Sequence, residues 1–133
     1  MDDVKVLVEA EINPTETEGK VKTAIANLFG SIPSTVVASD VGSVMSAETA
    51  GLNALAGFRD LLRRERVRAA ARKVLFRGLR ENTLVFYLNK QAAFANHVSF
   101  SQEVGESPLG PIKVTIKCQN PSELIDWLAP RTP

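Results

Sequence analysis

VKVLVEAEINPTETEGKVKTAIANLFG, residues Val4 to Gly30, decides how the chain folds. Val4, Val6, Val8, Ala10 and Ile12 alternate with Lys5, Leu7, Glu9 and Glu11. A period of two is that of a strand with one face in a core. Pro14 ends it. Thr15 followed by Glu18 reads as a capping box, in which the threonine oxygen accepts from one free backbone N–H and the glutamate reaches back to another. Val21, Ala24, Ile25, Leu28 and Phe29 then recur at the spacing of one helical face. Gly30 is the expected stop.

Downstream, Thr35 to Ala38 is β-branched and reads as a strand. Val41 to Ser46 pairs with it after a turn at Asp40, giving a short hairpin. Leu55, Phe58, Leu61 and Leu62 mark a helix, and Val67, Ala71, Val74, Leu75 and Gly78 mark a helical stripe. The pattern leaves open whether Arg64 to Arg66 is a break or continuous helix. Strands follow at Leu84–Leu88, around Val98 and Phe100, and at Ile112–Cys118, with Lys90–Phe94 a short connection or one helical turn. Gln102 to Pro111 is a loop rich in breakers. Asn120, Pro121 and Glu123 start a last helix, and Leu124, Ile125, Trp127 and Leu128 are its buried side. The order is β-α-β-β-α-(α)-β-β-β-α. Strand pairs joined by short loops predict an α+β fold, a mostly antiparallel mixed sheet with helices packed on one face.

The 133 residues match one domain, residues 1–133, and suffice for a core without disulfides or metal. Apolar residues make up 44% and charged residues 23%, which is globular composition rather than that of a disordered chain. The longest apolar runs are far short of a membrane span. Asp2 and Asp3 oppose a targeting signal, and Cys118, the single cysteine, allows no internal disulfide; both fit the cytoplasm.

Catalytic constellations are missing from the sequence. One histidine and one cysteine do not make a usual zinc site. There is no glycine-rich phosphate loop followed by Lys-Ser/Thr. His97 and Ser99 share a predicted strand but lack a nucleophile elbow. Cys118 falls on the apolar side of its strand, where a small buried hydrophobe is expected. Neither enzyme chemistry nor a cofactor or metal is expected.

Charge is distributed unevenly. Met1 to Phe58 holds eight acids and three lysines, Arg59 to Arg80 nine cations and two acids, and Glu81 to Pro133 five acids and four cations. Placed on a helix from Val67 to Arg80, the apolar residues form one stripe and Arg66, Lys73, Arg77 and Arg80 gather opposite it. Like charges at i,i+4 repel by roughly 0.2–0.5 kcal/mol per pair. Phosphates relieve that repulsion, and arginine offers them planar bidentate donors. Acids of the N-terminal half, or of a second subunit, would relieve it too. A second candidate surface is the open side of the sheet, where alternation puts Lys5, Tyr87, Asn89, His97, Lys113 and Lys117 beside Glu9 and Glu11.

Four phrases carry a resemblance: EAEINPTETEGKVKTAIANLF at Glu9–Phe29, LRRERVRAAARKVL at Leu62–Leu75, FYLNKQAAFANHVSF at Phe86–Phe100, and SPLGPIKVTI with LIDWLAP ending at Pro130. Together they resemble an archaeal family, uncharacterised protein family number 201. That resemblance implies a fold like large-subunit ribosomal protein number five and membership of a wider group labelled RNA-binding. It brings no assigned reaction. Some relatives carry a fused P-loop kinase-like domain, which makes such an enzyme a conceivable partner. Asn89, Lys90 and Gln91 lie in the resembling LNKQAA phrase, as binding groups or as caps of a strand end. The expectation is a non-catalytic RNA-binding module using Arg66, Lys73, Arg77 and Arg80, helped by Lys90. Two alternatives are a homodimeric assembly protein partnering a P-loop kinase-like enzyme, and a protein acting on a phosphorylated small molecule.

Overall fold

The computed structural model describes residues 3–39, 42–102 and 110–131. The expected Asp40 turn, with Val41, and most of the expected Gln102–Pro111 loop lie outside the described residues. Strands are β1 (Lys5–Ile12), β2 (Ser34–Ser39), β3 (Gly42–Ala50), β4 (Leu79–Arg80), β5 (Thr83–Asn89), β6 (Phe100–Ser101) and β7 (Pro111–Lys117). Helices are α1 (Glu18–Phe29), α2 (Asn53–Arg64), α3 (Arg68–Arg77), α4 (Lys90–Phe94) and α5 (Pro121–Leu128). The expected order holds. The two-residue β4 is added to it, and the Lys90–Phe94 connection is the short helix α4.

All the pairings are antiparallel, in the order β2-β3-β1-β7-β5-β4, with β6 also on β5. The period of two sets the layers. Val4, Val6, Val8, Ala10 and Ile12 are buried with Met45, Ala47, Leu84, Phe86, Leu88, Ile112, Val114 and Ile116, and the helices cover this face. Phe58 of α2 sits 5.3 Å from Phe29 of α1 and 5.7 Å from Phe86 of β5, ring centre to ring centre, tying both helices to the sheet. On the other face the register aligns Lys5, Lys117 and Thr83 in one row and Glu9, Lys113 and Tyr87 in another.

Local chemistry differs from expectation at the start of α1 and at His97–Ser99, and it decides the point left open at Arg64–Arg66. The cap of α1 is Thr17, whose Oγ1 accepts from Lys20 N at 3.2 Å, not Thr15. Glu16 instead turns inward and accepts from the Asn13 backbone N–H and side-chain amide, at 3.0 and 2.8 Å. α2 and α3 are separate helices. Arg66 N donates to Arg63 O and Val67 N to Leu62 O, both at 3.2 Å, a Schellman closure with Arg66 at the left-handed position (φ 60°). Val67, half-buried, packs against the core just after the turn. His97 and Ser99 are not in a strand; β6 starts only at Phe100.

Candidate nucleic-acid interface

α2 leaves the end of the sheet marked by Ala50, Lys5 and Lys117 and runs to the opposite end, marked by Ile12 and Asn89. There Glu65 Oε1 accepts from Val98 N at 3.2 Å and meets His97 Nδ1 at 2.9 Å. Those bonds from His97, then from the Val98 N–H, hold the Glu65 carboxyl below its ordinary value. α3 returns to the first end, where Arg80 of β4 pairs with Thr83. The four cations expected on one helical face are therefore split. Lys73 and Arg77 share α3 at i,i+4, Arg66 sits in the turn before it, and Arg80 lies in the hairpin beyond it. Ten helical residues, about 15 Å, separate the two ends. Arg80 Nη1 donates to Arg77 O at 3.2 Å and Leu79 O at 2.7 Å, so its charge sits on the carbonyl end of α3.

Arg80 apart, the other eight cations of Arg59–Arg80 fall into two sets. Arg59 donates to Trp127 O at 2.9 Å with its guanidinium 5.0 Å from the Trp127 ring centre. Arg72 pairs with Asp126 at 2.7 Å, donates to Ala129 O at 3.2 Å, and lies over Phe76. These two clamp α5 onto α2 and α3. Arg63 pairs with Asp60 on its own helix at 3.2 Å. Among the described residues, Arg64, Arg66, Arg68, Lys73 and Arg77 make no ion pair, and all but Arg68 are exposed. Acids of the N-terminal half, expected as one source of relief, pair with none of this segment among the described residues. Arg68 lines a shallow hollow with Arg59 and Arg63, backed by Leu128 and Pro130.

The LNKQAA positions do three different things. Asn89 caps α4, its Oδ1 accepting from Ala92 N at 2.8 Å. Lys90 is 3% exposed. Its ammonium donates to Glu11 O at 2.6 Å and to Glu16 Oε1 at 2.9 Å, so it faces inward and is not offered to RNA. Burial pushes the Glu16 carboxyl up, but the Asn13 N–H, the Lys90 ammonium and the Asn13 amide together bring it below its ordinary value. Gln91 alone of the three is exposed, beside a cleft between α4 and the start of α1. On the open sheet face, the register keeps Lys5, Tyr87, Asn89, Lys113 and Lys117 together and leaves His97 off it. Cys118 is buried, and burial first, then Asp3, raises its thiol, against a lowering bond from the Asn120 backbone. Among the described residues no three His, Cys, Asp or Glu side chains gather as a metal site would need, and no helix is long and apolar enough to cross a membrane.

The molecule is thus an α+β protein with a cation-rich helix pair against one face of an open antiparallel sheet. A family model described as RNA binding matches residues 5–118. A UPF0201 protein of Sulfurisphaera tokodaii is 45% identical over 128 residues, 96% of this chain and 88% of that one. One from Saccharolobus solfataricus is 42% identical over 129 residues, 97% and 89% of the two chains. The crystal structure of a UPF0201 protein from Methanococcus jannaschii superposes with a TM-score of 0.87 at 34% identity, covering 97% of this chain and 95% of that one. The chain belongs to the UPF0201 family, within the grouping described as RNA binding. A protein of Archaeglobus fulgidus, 21% identical with a TM-score of 0.68 over 96% of this chain and 97% of that one, shares the fold.

Proposed function

We propose that this protein is a non-catalytic RNA-binding module that holds phosphates with the cations of α2, α3 and the turn between them. Arg66, Lys73 and Arg77 are the principal contacts, Arg64 and Arg68 flank them, and Arg80 extends the track at the far end of α3. The observation that carries this reading is the set of cations left without acids beside a family model described as RNA binding. The turn adds support. A Schellman closure favours glycine at its left-handed position, and an arginine there costs about 1–2 kcal/mol of backbone strain. Strain of that kind gathers at functional positions. Glu65, the acid between Arg64 and Arg66, is engaged by His97 and Val98 and is turned toward the α4 loop.

Phosphate contacts release counterions, so the affinity for single-stranded RNA should fall with salt by a log–log slope of roughly −0.7 per contact. Fluorescence anisotropy at several salt concentrations tests this. Replacing Arg66, Lys73 and Arg77 with glutamine should reduce the slope by about 2 and leave the fold intact, because all three side chains are exposed. A slope that does not change in this variant would remove the helix pair from the interface.

A further inference from the structure

We infer that the cleft between α4 and the start of α1 receives one unpaired RNA base, stacked on Phe94 and read at its edge by Gln91. This rests on the RNA reading above and deepens it, since phosphate contacts alone do not separate single-stranded from paired RNA.

The cleft encloses about 240 Å³ between Thr15, Lys20, Val21, Gln91 and Phe94, floored by the Lys90–Glu16 pair. Pockets for drug-sized ligands run to roughly 300–1,000 Å³, so this one suits a single ring system. Phe94 is 45% exposed, the most exposed aromatic ring among the described residues. The other exposed phenylalanine, Phe76, lies under the Arg72 guanidinium at 5.0 Å. An exposed phenylalanine beside a cleft is a stacking platform, because every base has a π-face.

The platform is rigid. α4 has five residues, too few to be stable alone, yet it is fastened at both ends. Asn89 caps its start. The side-chain amide of Asn27, on α1, donates to Ala93 O at 2.9 Å and Phe94 O at 3.2 Å at its finish. Lys90 anchors it from below through Glu11 and Glu16. Ordering costs on binding are small when the receiving surface is already fixed.

Lys20 supplies the phosphate contact. Its ammonium lies 5.7 Å from the Phe94 ring centre, near the outer limit of about 6 Å for a cation–π contact. A base entering the cleft takes over the ring and leaves the ammonium for its own phosphate. Gln91 carries both an amide donor and an acceptor, the pair that a Watson–Crick edge exposes when unpaired. One loop connects the helix beside the cleft to the α2–α3 turn. His97 N bonds back to Ala92 O of α4 at 2.8 Å, and the His97 ring meets Glu65 between Arg64 and Arg66. A strand crossing the α2–α3 turn is therefore led to Phe94.

The test is a pair of RNAs of equal length, one single-stranded with 2-aminopurine at one position and one fully paired, titrated with wild type, Phe94→Ala, Phe94→Trp and Gln91→Ala. Loss of one stacked base is worth about 1–3 kcal/mol. Phe94→Ala should therefore weaken single-stranded RNA by roughly 5- to 150-fold, abolish the 2-aminopurine quench, and leave paired RNA within about twofold. Phe94→Trp should keep both the affinity and the quench, which separates a stacking role from a folding defect. Equal losses on both RNAs, or no loss on either, overturn the base cleft while a salt-dependent wild type leaves the RNA reading standing. A wild type that binds neither RNA overturns both.

Discussion

Lys90→Met removes a charge from beneath the candidate RNA surface while keeping the length of the side chain. It leaves the Glu16 carboxylate, whose side chain is 10% exposed, and the Glu11 carbonyl without their cation. Removing one partner of a buried pair costs about 3–5 kcal/mol. Glu16 keeps both bonds from Asn13, which places the expected loss near the lower end, about 3 kcal/mol. For a domain of this size roughly 4 °C of melting temperature accompanies each kcal/mol, so the midpoint should fall by about 12 °C. Urea denaturation followed by circular dichroism and Trp127 fluorescence measures it. Glu16→Gln and the double variant close a cycle whose coupling should reach about 1–3 kcal/mol. The pH dependence checks the same pair with a defined sign. The Glu16 carboxyl is depressed in the fold, so its contribution is full above its unfolded value, near 4.5, and is lost as pH falls through the lower folded value. Below pH 4.5 the wild type should lose stability more steeply than Lys90→Met. A loss under about 1 kcal/mol, the range of an exposed pair, would refute a buried, obligatory anchor.

Arg66→Gly relieves a left-handed arginine at the cost of glycine's chain entropy, so stability should be unchanged or rise by up to about 1 kcal/mol. The same variant should lower the salt slope on single-stranded RNA by roughly 0.7, so thermal melting and anisotropy should move independently. Gly78→Ala drives a methyl into the Val85 carbonyl oxygen, which is backbone and has little room to move. Forcing in that methyl should cost about 1–3 kcal/mol by urea denaturation; a loss below about 0.5 kcal/mol would show that the α3–β4 junction yields. Cys118, with its raised thiol and buried sulfur, should react with a thiol reagent at pH 8 only on the timescale of opening and at once in denaturant. Fast native labelling would contradict its burial.

The strands and most helices were legible because their signals are local. Alternation in Val4–Ile12 and Ile112–Cys118 fixes which side chains enter the core whatever they meet there. The Asn120-Pro121-Glu123 start is equally local, and Asn120 Oδ1 does accept from Glu123 N at 3.3 Å. At the start of α1 the local signal misled: Thr15 with Glu18 has the spacing of a capping box, but Thr17 is the cap, and Glu16 between them faces inward to Lys90, a contact from far along the chain.

By itself, the sequence determined the layer order, the strand faces and the concentration of cations in Arg59–Arg80. Each depends on neighbours within a few residues along the chain. Only the tertiary structure decided which cations hold α5 and which have no acid beside them among the described residues. Asp126 and the Trp127 and Ala129 carbonyls that engage Arg72 and Arg59 arrive from the far end of the chain. The same holds for Lys90, a turn residue by pattern, which becomes a buried anchor because Glu16, 74 residues earlier, folds beneath it. No periodicity encodes contacts at that separation; they exist once the sheet has brought the ends of β1 and β5 to the same end of the sheet, where a buried charge must find its partner.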